Sequence, residues 1–282
     1  MFEPVYMFAI DHRWQWEEWC DGNGVDRARI TQVKLLAAEA FLGARDGSPT
    51  IRASGALLVD LTYGRAAFDA VQSAGAVTGT PAERAGAFPL QWTADFDAAL
   101  PGHFVKVLVR HRSDLSPAVV TAQRQQLLDL QRWCAERDKP FVLEVLVAPC
   151  DGDEPGFDSD GRPRLLAGYI ADAYAMGIKP DYWKIEGMPD QAALRVVDEA
   201  IRGVQGPRQL ILGKGAGMSQ VRQWFGSAAG AATAAGFAIG RTVYFDAAAN
   251  WLKGNHTRSE AIARIGANYQ AVIDAWQERH GS

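Results

Sequence analysis

Cysteine is scarce in this 282-residue chain, and histidine almost as scarce, with three and five residues. Cys20, Cys134 and Cys150 are odd in number, far apart and in no metal-binding spacing. That argues against a disulfide framework and reads as reduced thiols. His12, His103, His111, His256 and His280 are scattered, without the clustering expected of a metal-dependent enzyme. There is no basic excess either: the formal net charge is −4, so a broad cationic surface for nucleic acid is not expected. No apolar run approaches a membrane span, and the first apolar segment, residues 5–10, has no basic leader before it. Both absences suggest a cytoplasmic protein that does not engage a membrane. A dinucleotide fingerprint is missing as well: Ile10 runs straight into Asp11-His12-Arg13. No linker and no internal repeat divides the chain, so residues 1–282 are expected to form one domain.

What is present is ordinary globular composition, 48% hydrophobic and 22% charged, arranged as an alternation. Strand-like apolar runs fall at 5–10, 56–60, 88–92, 105–109, 141–147, 182–185, 209–212 and 237–240. Helical periodicity covers 27–42, 165–176, 191–202, 219–234 and 257–279. A further helix starts at Ser116-Pro117, an N-cap followed by proline at the first helical position, and runs to about residue 137. Eight strands each followed by helical or connecting sequence suggest a (β/α)8 TIM barrel within the α/β class, with an open doubly wound sheet as the competitor.

Barrel enzymes build their sites at the C-terminal ends of strands, and ionisable groups recur there. The first strand ends in Asp11-His12-Arg13, the second in Asp60. Lys106 lies between Val105 and Val107 with Arg110 on the same face, and Glu144 lies between Leu143 and Val145. Asp181-Tyr-Trp-Lys-Ile-Glu-Gly187 reads as a buried strand carrying Lys184 and Glu186. Side chains alternate along a strand, so these two point the same way. A buried lysine is costly unless paired or used; one use is attack on a carbonyl to form a Schiff base. Lys184 is the expected nucleophile, against the plainer reading of a structural ion pair. Lys106 would disfavour a second positive charge beside it, or simply stabilise the fold. Glu144 and Asp11 could move protons, Asp60 reads as a supporting or structural group, and His12 as a polar loop residue.

The seventh strand runs into Gly213-Lys-Gly-Ala-Gly217 and the eighth segment is Gly236-Phe-Ala-Ile-Gly-Arg241. Small residues there let backbone amides approach an oxyanion. Gly213, Gly215 and Gly240, with Lys214 and Arg241 as counter-charge, are therefore expected to hold a phosphate; the alternative is plain tight turns. The acidic stretch 149–164 follows the fifth strand and is either a lid or a solvated loop.

These motifs resemble the class I tagatose-1,6-bisphosphate aldolases. The likeness is carried by Asp11-His12-Arg13, Asp60-Leu-Thr-Tyr-Gly64, Lys106, Leu143-Glu144, Lys184-Ile-Glu186 and Gly240-Arg241. A closer similarity, through Tyr182-Trp-Lys-Ile-Glu186, Gly236–Thr242 and Trp251-Leu-Lys-Gly254, is to the aldolase-like domain fused to 5-dehydro-2-deoxygluconokinases of inositol catabolism. The resemblance implies a metal-independent aldehyde-lyase without a cofactor, in which Lys184 is the Schiff-base residue and Lys106, Glu144 and Asp11 complete the catalytic group. It implies cleavage of 6-phospho-5-dehydro-2-deoxy-D-gluconate, with Arg13 or Arg110 on the substrate carboxylate and Glu186 beside the ligand. In the third segment Gln91-Trp92 stands where the tagatose enzymes have an acidic residue. Other ketose phosphates, such as tagatose bisphosphate or sulfofructose phosphate, and a non-catalytic sugar-phosphate sensor are the alternatives. The C-terminal helix, with Tyr269 and Trp276, packs on its own barrel or on a second subunit.

Overall fold

A computed structural model describes residues 4–93, 100–150 and 156–281. Eight strands form one closed parallel barrel in sequence order: β1 (Val5–Ala9), β2 (Gly55–Leu58), β3 (Val77–Pro81), β4 (Phe104–His111), β5 (Phe141–Val147), β6 (Tyr182–Glu186), β7 (Arg208–Leu212) and β8 (Ala234–Ile239), which pairs back to β1. The helices are α1 (Trp14–Asn23), α2 (Arg29–Gly47), α3 (Pro49–Ser54), α4 (Leu61–Ser73), α5 (Pro117–Ala135), α6 (Gly161–Ala175), α7 (Gln191–Ile201), α8 (Met218–Ala228), α9 (Arg241–Leu252) and α10 (Arg258–His280). This is the (β/α)8 barrel that the alternation predicts.

Side-chain caps start several helices, the one at Ser116-Pro117 being marked in the sequence. Ser116 caps α5 ahead of Pro117, Asp60 caps α4, and Thr257 with Glu260 forms a reciprocal capping box on α10. Strand residues are buried on both faces, as parallel sheets require. One set, including Tyr6, Phe8, Val105, Val107 and Trp183, packs outward against the helices. The alternate set, including Val5, Met7, Phe104, Val142, Tyr182 and Leu210, fills the barrel interior. Phe104 fits because Gly79 on β3 faces it without a side chain; a Cβ there would meet the ring at 2.3 Å.

Two of the expected segments differ, and α1, α3, α4 and α9 are helices that no expected segment covers. The third strand is Val77–Pro81, not 88–92. Its Gly79 and Pro81 disguise it, although proline is tolerated because it ends the strand. Residues 88–92 are instead the returning arm of a small hairpin. Glu83 bridges to Trp92, and the Arg84 amide donates to the Gln91 carbonyl at 2.7 Å. Second, the alanine-rich end of the expected helix 219–234 unwinds after Ala228, and β8 begins at Ala234. Gly236 therefore lies within the strand. Its φ is +141°, and a Cβ would meet the Val5 carbonyl at 2.0 Å, so it serves the close approach of β8 to β1 and not an anion. Tyr269 and Trp276 are buried against this barrel: the Tyr269 hydroxyl donates to the Tyr6 carbonyl, and Trp276 packs on Phe225. Among the described residues no helix is long and apolar enough to cross a membrane.

Candidate active site

The inward parity of β1, β4, β5 and β6 continues upward into charge. Above Val5 and Met7 comes Asp11; above Phe104, Lys106 and Arg110; above Val142, Glu144; above Tyr182, Lys184 and Glu186. The lower barrel is thus an apolar plug and the upper half an ionic layer. Over it lies a cavity enclosing about 940 Å³ of empty space, part of it open to solvent. Asp11, Arg13, Lys106, Glu144, Lys184 and Arg241 are in its wall.

Lys106 is the centre of the layer. Its Nζ lies 3.0 Å from Asp11 Oδ2, 3.0 Å from Glu83 Oε1 and 2.7 Å from Glu144 Oε2. Burial works against its charge, but Asp11, Glu144 and Glu83 outweigh it and hold its pKa well above the ordinary lysine value. In turn, burial would raise Asp11 and Glu144, and the ammonium groups of Lys106 and Lys184 pull both carboxyls below their usual range. Lys184, 4% exposed, has its Nζ 2.8 Å from the same Glu144 oxygen.

Glu83 is the functional-site residue that sequence reasoning missed. It lies two residues beyond β3, supplying an acidic group at the place where Gln91-Trp92 suggested none. Its Oε1 accepts from Lys106, its Oε2 accepts from the Leu108 amide at 3.1 Å, and its carbonyl accepts two bonds from Arg13 at 3.1 Å. The signal was the β-branched run Val77-Thr78 with Thr80, followed by Ala82-Glu83. Arg13, expected on a substrate carboxylate, is committed to Glu83. Arg110 lines the cavity and has no ion pair among the described residues.

A second buried pair supports the wall from below. Lys34, on the inner face of α2, meets Asp60 Oδ1 at 2.7 Å with both side chains fully buried, and also donates to the carbonyls of Ile10 and His12. Burial lowers the Lys34 pKa against the opposing pull of Asp60. The structure places Asp60 in this pair and at the α4 cap, away from the cavity. His12 is in the cavity wall beside Gly240. Burial outweighs the pull of Asp11 and brings its pKa down to about 3, so the ring is neutral.

The ends of β7 and β8 meet as a glycine-lined corner. Lys214 and Gly215 both have positive φ, and a Cβ on Gly215 would press on the Arg241 guanidinium at 3.1 Å. Arg241 donates to the Lys214 carbonyl at 2.7 Å. Gly240 stands at the start of α9 without a side-chain cap, leaving a helix N-terminus facing the cavity. Gly213, Lys214, Gly215, Gly240 and Arg241 all line it.

Glu186 is the predicted site residue that falls outside the cavity wall. One oxygen accepts from Lys214 and the other lies 3.4 Å from Arg162 of α6. Of the segment 149–164, residues 151–155 lie outside the described residues, so the lid reading is not addressed there; 161–164 are the first turn of α6. Among the described residues no three His, Cys, Asp or Glu side chains gather as a metal site.

The model of the family described as "Uncharacterized protein conserved in bacteria (DUF2090)" matches residues 1–280. No curated protein matches the sequence. Among solved structures, fructose-bisphosphate aldolase from Plasmodium falciparum aligns over 100% of this chain and 92% of its own at 11% identity and a TM-score of 0.72. Cgl0159 from Corynebacterium glutamicum aligns over 95% and 85% at 15% identity and TM-score 0.60. A Schiff-base-forming fructose-1,6-bisphosphate aldolase aligns over 96% and 94% at 16% identity and TM-score 0.56. At these identities the likeness is one of fold.

Proposed function

The chain belongs to the DUF2090 family of bacterial proteins, and from the chemistry gathered at its barrel mouth we propose that it is a metal-independent class I aldolase acting through a Schiff base on Lys184. The observation that carries this reading is the Lys184 amine, buried at the mouth, 2.8 Å from Glu144 and facing a cavity with a glycine-and-arginine corner across it. Two of the structures with the same fold are fructose-bisphosphate aldolases, one of them Schiff-base-forming, which agrees with it.

The substrate proposed is a phosphorylated keto sugar acid, 6-phospho-5-dehydro-2-deoxy-D-gluconate, an intermediate of inositol catabolism. The phosphate is held at the Gly213–Gly215 and Gly240–Arg241 corner, where backbone amides, the α9 N-terminus and Arg241 offer positive charge. Lys214 joins by exchanging its Glu186 partner for the phosphate. The ketone is then beside Lys184. Its amine, after giving a proton to Glu144, attacks C5, and loss of water leaves the iminium ion. A carboxylate of the Lys106 cluster takes the proton of the C3 hydroxyl, the C3–C4 bond breaks, and its electron pair enters the iminium as an enamine. Malonate semialdehyde leaves first. Protonation at C4 and hydrolysis release dihydroxyacetone phosphate and restore the lysine. Arg110, unpaired among the described residues, is suited to the substrate carboxylate.

Lys106 has a separate part. Three carboxylates keep it charged, so it is an electrostatic anchor and not a competing nucleophile. The deciding experiment is borohydride reduction with dihydroxyacetone phosphate, followed by mass mapping. An adduct on Lys184, absent from Lys184→Met, supports the reading; binding without adduct or cleavage replaces it with a sugar-phosphate sensor.

A further inference from the structure

The cavity has a rim that the chemistry above does not use. Among the described residues four large apolar side chains are well exposed, and two of them, Trp14 at 41% and Phe88 at 45%, line this same cavity. Single exposed hydrophobics are commonplace; a pair at the edge of one cavity is not explained by chance scatter. Trp14 opens α1 directly after Arg13, and Phe88 lies at the turn of the hairpin that follows β3.

That hairpin is firmly built. Beyond the Glu83–Trp92 bridge, the Thr93 amide donates to the Ala82 carbonyl at 3.1 Å and the Ala87 amide to the Arg84 carbonyl at 3.2 Å. Buried Gln123 of α5 accepts from the Leu90 amide at 3.3 Å, and Gln126 donates to the Leu90 carbonyl. Its root, Glu83, is the residue that grips Lys106 and Arg13. A rigid element joined to the ionic layer therefore holds an aromatic ring outward over the mouth. Arg84, on the same hairpin, lines the cavity and has no ion pair among the described residues. Phe88 and Arg84 are on the β3–β4 side, across the closed barrel from the β7–β8 corner, while Trp14 follows β1, the neighbour of β8.

We propose that the hairpin 83–92 and Trp14 form the specificity wall of this site, with Phe88 and Trp14 packing on the carbon chain of a six-carbon substrate and Arg84 joining Arg110 at its far anionic end. The inference rests on the aldolase reading of the cavity. Aromatic faces favour the C–H surface of a sugar chain, and a guanidinium pairs well with carboxylate or phosphate. A three-carbon ligand held at the corner and Lys184 is expected to leave the β3–β4 side of this wall, with Phe88 and Arg84, uncontacted.

Titration calorimetry tests it on protein carrying Lys184→Met, so that only non-covalent binding is read. The probes are D-fructose 1,6-bisphosphate, D-tagatose 1,6-bisphosphate and dihydroxyacetone phosphate. Adding Phe88→Ala or Trp14→Ala is expected to weaken whichever hexulose bisphosphate binds tighter by about tenfold, with Arg84→Gln acting in the same direction, and to leave the triose phosphate unchanged. Equal losses for both chain lengths, no loss for either, or a wild-type rim that prefers the triose would overturn the proposal. Borohydride trapping on the chain with Lys184 intact separates the two ideas. No adduct with the affinity pattern intact removes the aldolase chemistry and keeps the wall; an adduct on Lys184 with flat affinities removes the wall alone.

Discussion

The amines of Lys106 and Lys184 lie 2.7 and 2.8 Å from the same oxygen of Glu144, yet among the described residues only Lys106 makes further ion pairs. Lys106 also holds Asp11 and Glu83; Lys184 has Glu144 as its carboxylate partner and borders the cavity. Sharing one oxygen puts Glu144 2.8 Å from the Lys184 amine, while the two ammonium groups together hold its carboxyl below the usual range.

The first prediction follows from this asymmetry. Lys184→Met leaves Glu144 paired with Lys106, so thermal stability should change little while cleavage falls by at least about a thousandfold. Lys106→Met should act the other way round, chiefly on stability. Turnover, trapping and thermal melts on both variants check the contrast. A Lys184→Met protein with full turnover would remove the nucleophile assignment.

Lys106→Met also predicts a reversal of pH dependence. In the natural chain Asp11 and Glu144 have folded pKa values below their unfolded ones. Their stabilising contribution is present above the unfolded value, about 4, and is lost as pH falls through the folded values. Without Lys106, Asp11, Glu83 and Glu144 face one another in a buried site with their shared cation gone. Stability at pH 7 should drop by about 3–5 kcal/mol. The folded pKa values of Asp11 and Glu144 should then exceed the unfolded ones, so the variant should gain stability between pH 7 and pH 5, where the natural chain does not. Urea unfolding at the two pH values measures the sign directly.

Lys34 and Asp60 give a prediction of stability away from the reacting groups. Both are fully buried 2.7 Å apart, and Lys34 also ties the carbonyls of Ile10 and His12 on either side of Asp11. Lys34→Met should cost about 3–5 kcal/mol by stranding the Asp60 charge. Lys34→Met with Asp60→Asn, which keeps an oxygen for the Tyr63 amide at the α4 cap, should recover a large part of the loss. A double variant no more stable than the single one would show that the charge is not what strands.

How much of this was legible in the sequence differs from strand to strand. Seven strands announce themselves as apolar runs, and the period of two then fixes which residues face inward. That is why the sequence itself groups Lys106, Glu144 and Lys184 as one cluster. The third strand was not, because Gly79 makes room for Phe104 and Pro81 ends the strand, so local composition there obeys packing and not propensity. Glu83 was lost with it. Lys34 was invisible for another reason: its partner is 26 positions away, and a lysine within an amphipathic helix looks solvated until the closure of the barrel buries it. Helix α9 escaped notice since it is buried on several sides and shows little amphipathic pattern, with Val243, Tyr244, Ala247 and Ala248 all inside.

His12 supplies the last prediction. Enclosed by Gly240, Tyr244 and Arg241, with burial as the main cause, its ring has a pKa of about 3. The folded value lies below the unfolded one, near 6.5. As pH falls below 6.5 the unfolded chain takes up a proton at this position that the folded chain refuses. His12 therefore removes stability progressively from that point downward until the pH reaches the folded value. In proton NMR the His12 ring signals should stay constant from pH 8 to pH 5. His12→Phe, which keeps a flat ring without the proton site, should lessen the acid sensitivity between pH 6.5 and pH 4. A His12 ring that titrates near 6.5 would mean that it is solvated in the folded protein, and the corner beside Gly240 would then be wider than the geometry described above.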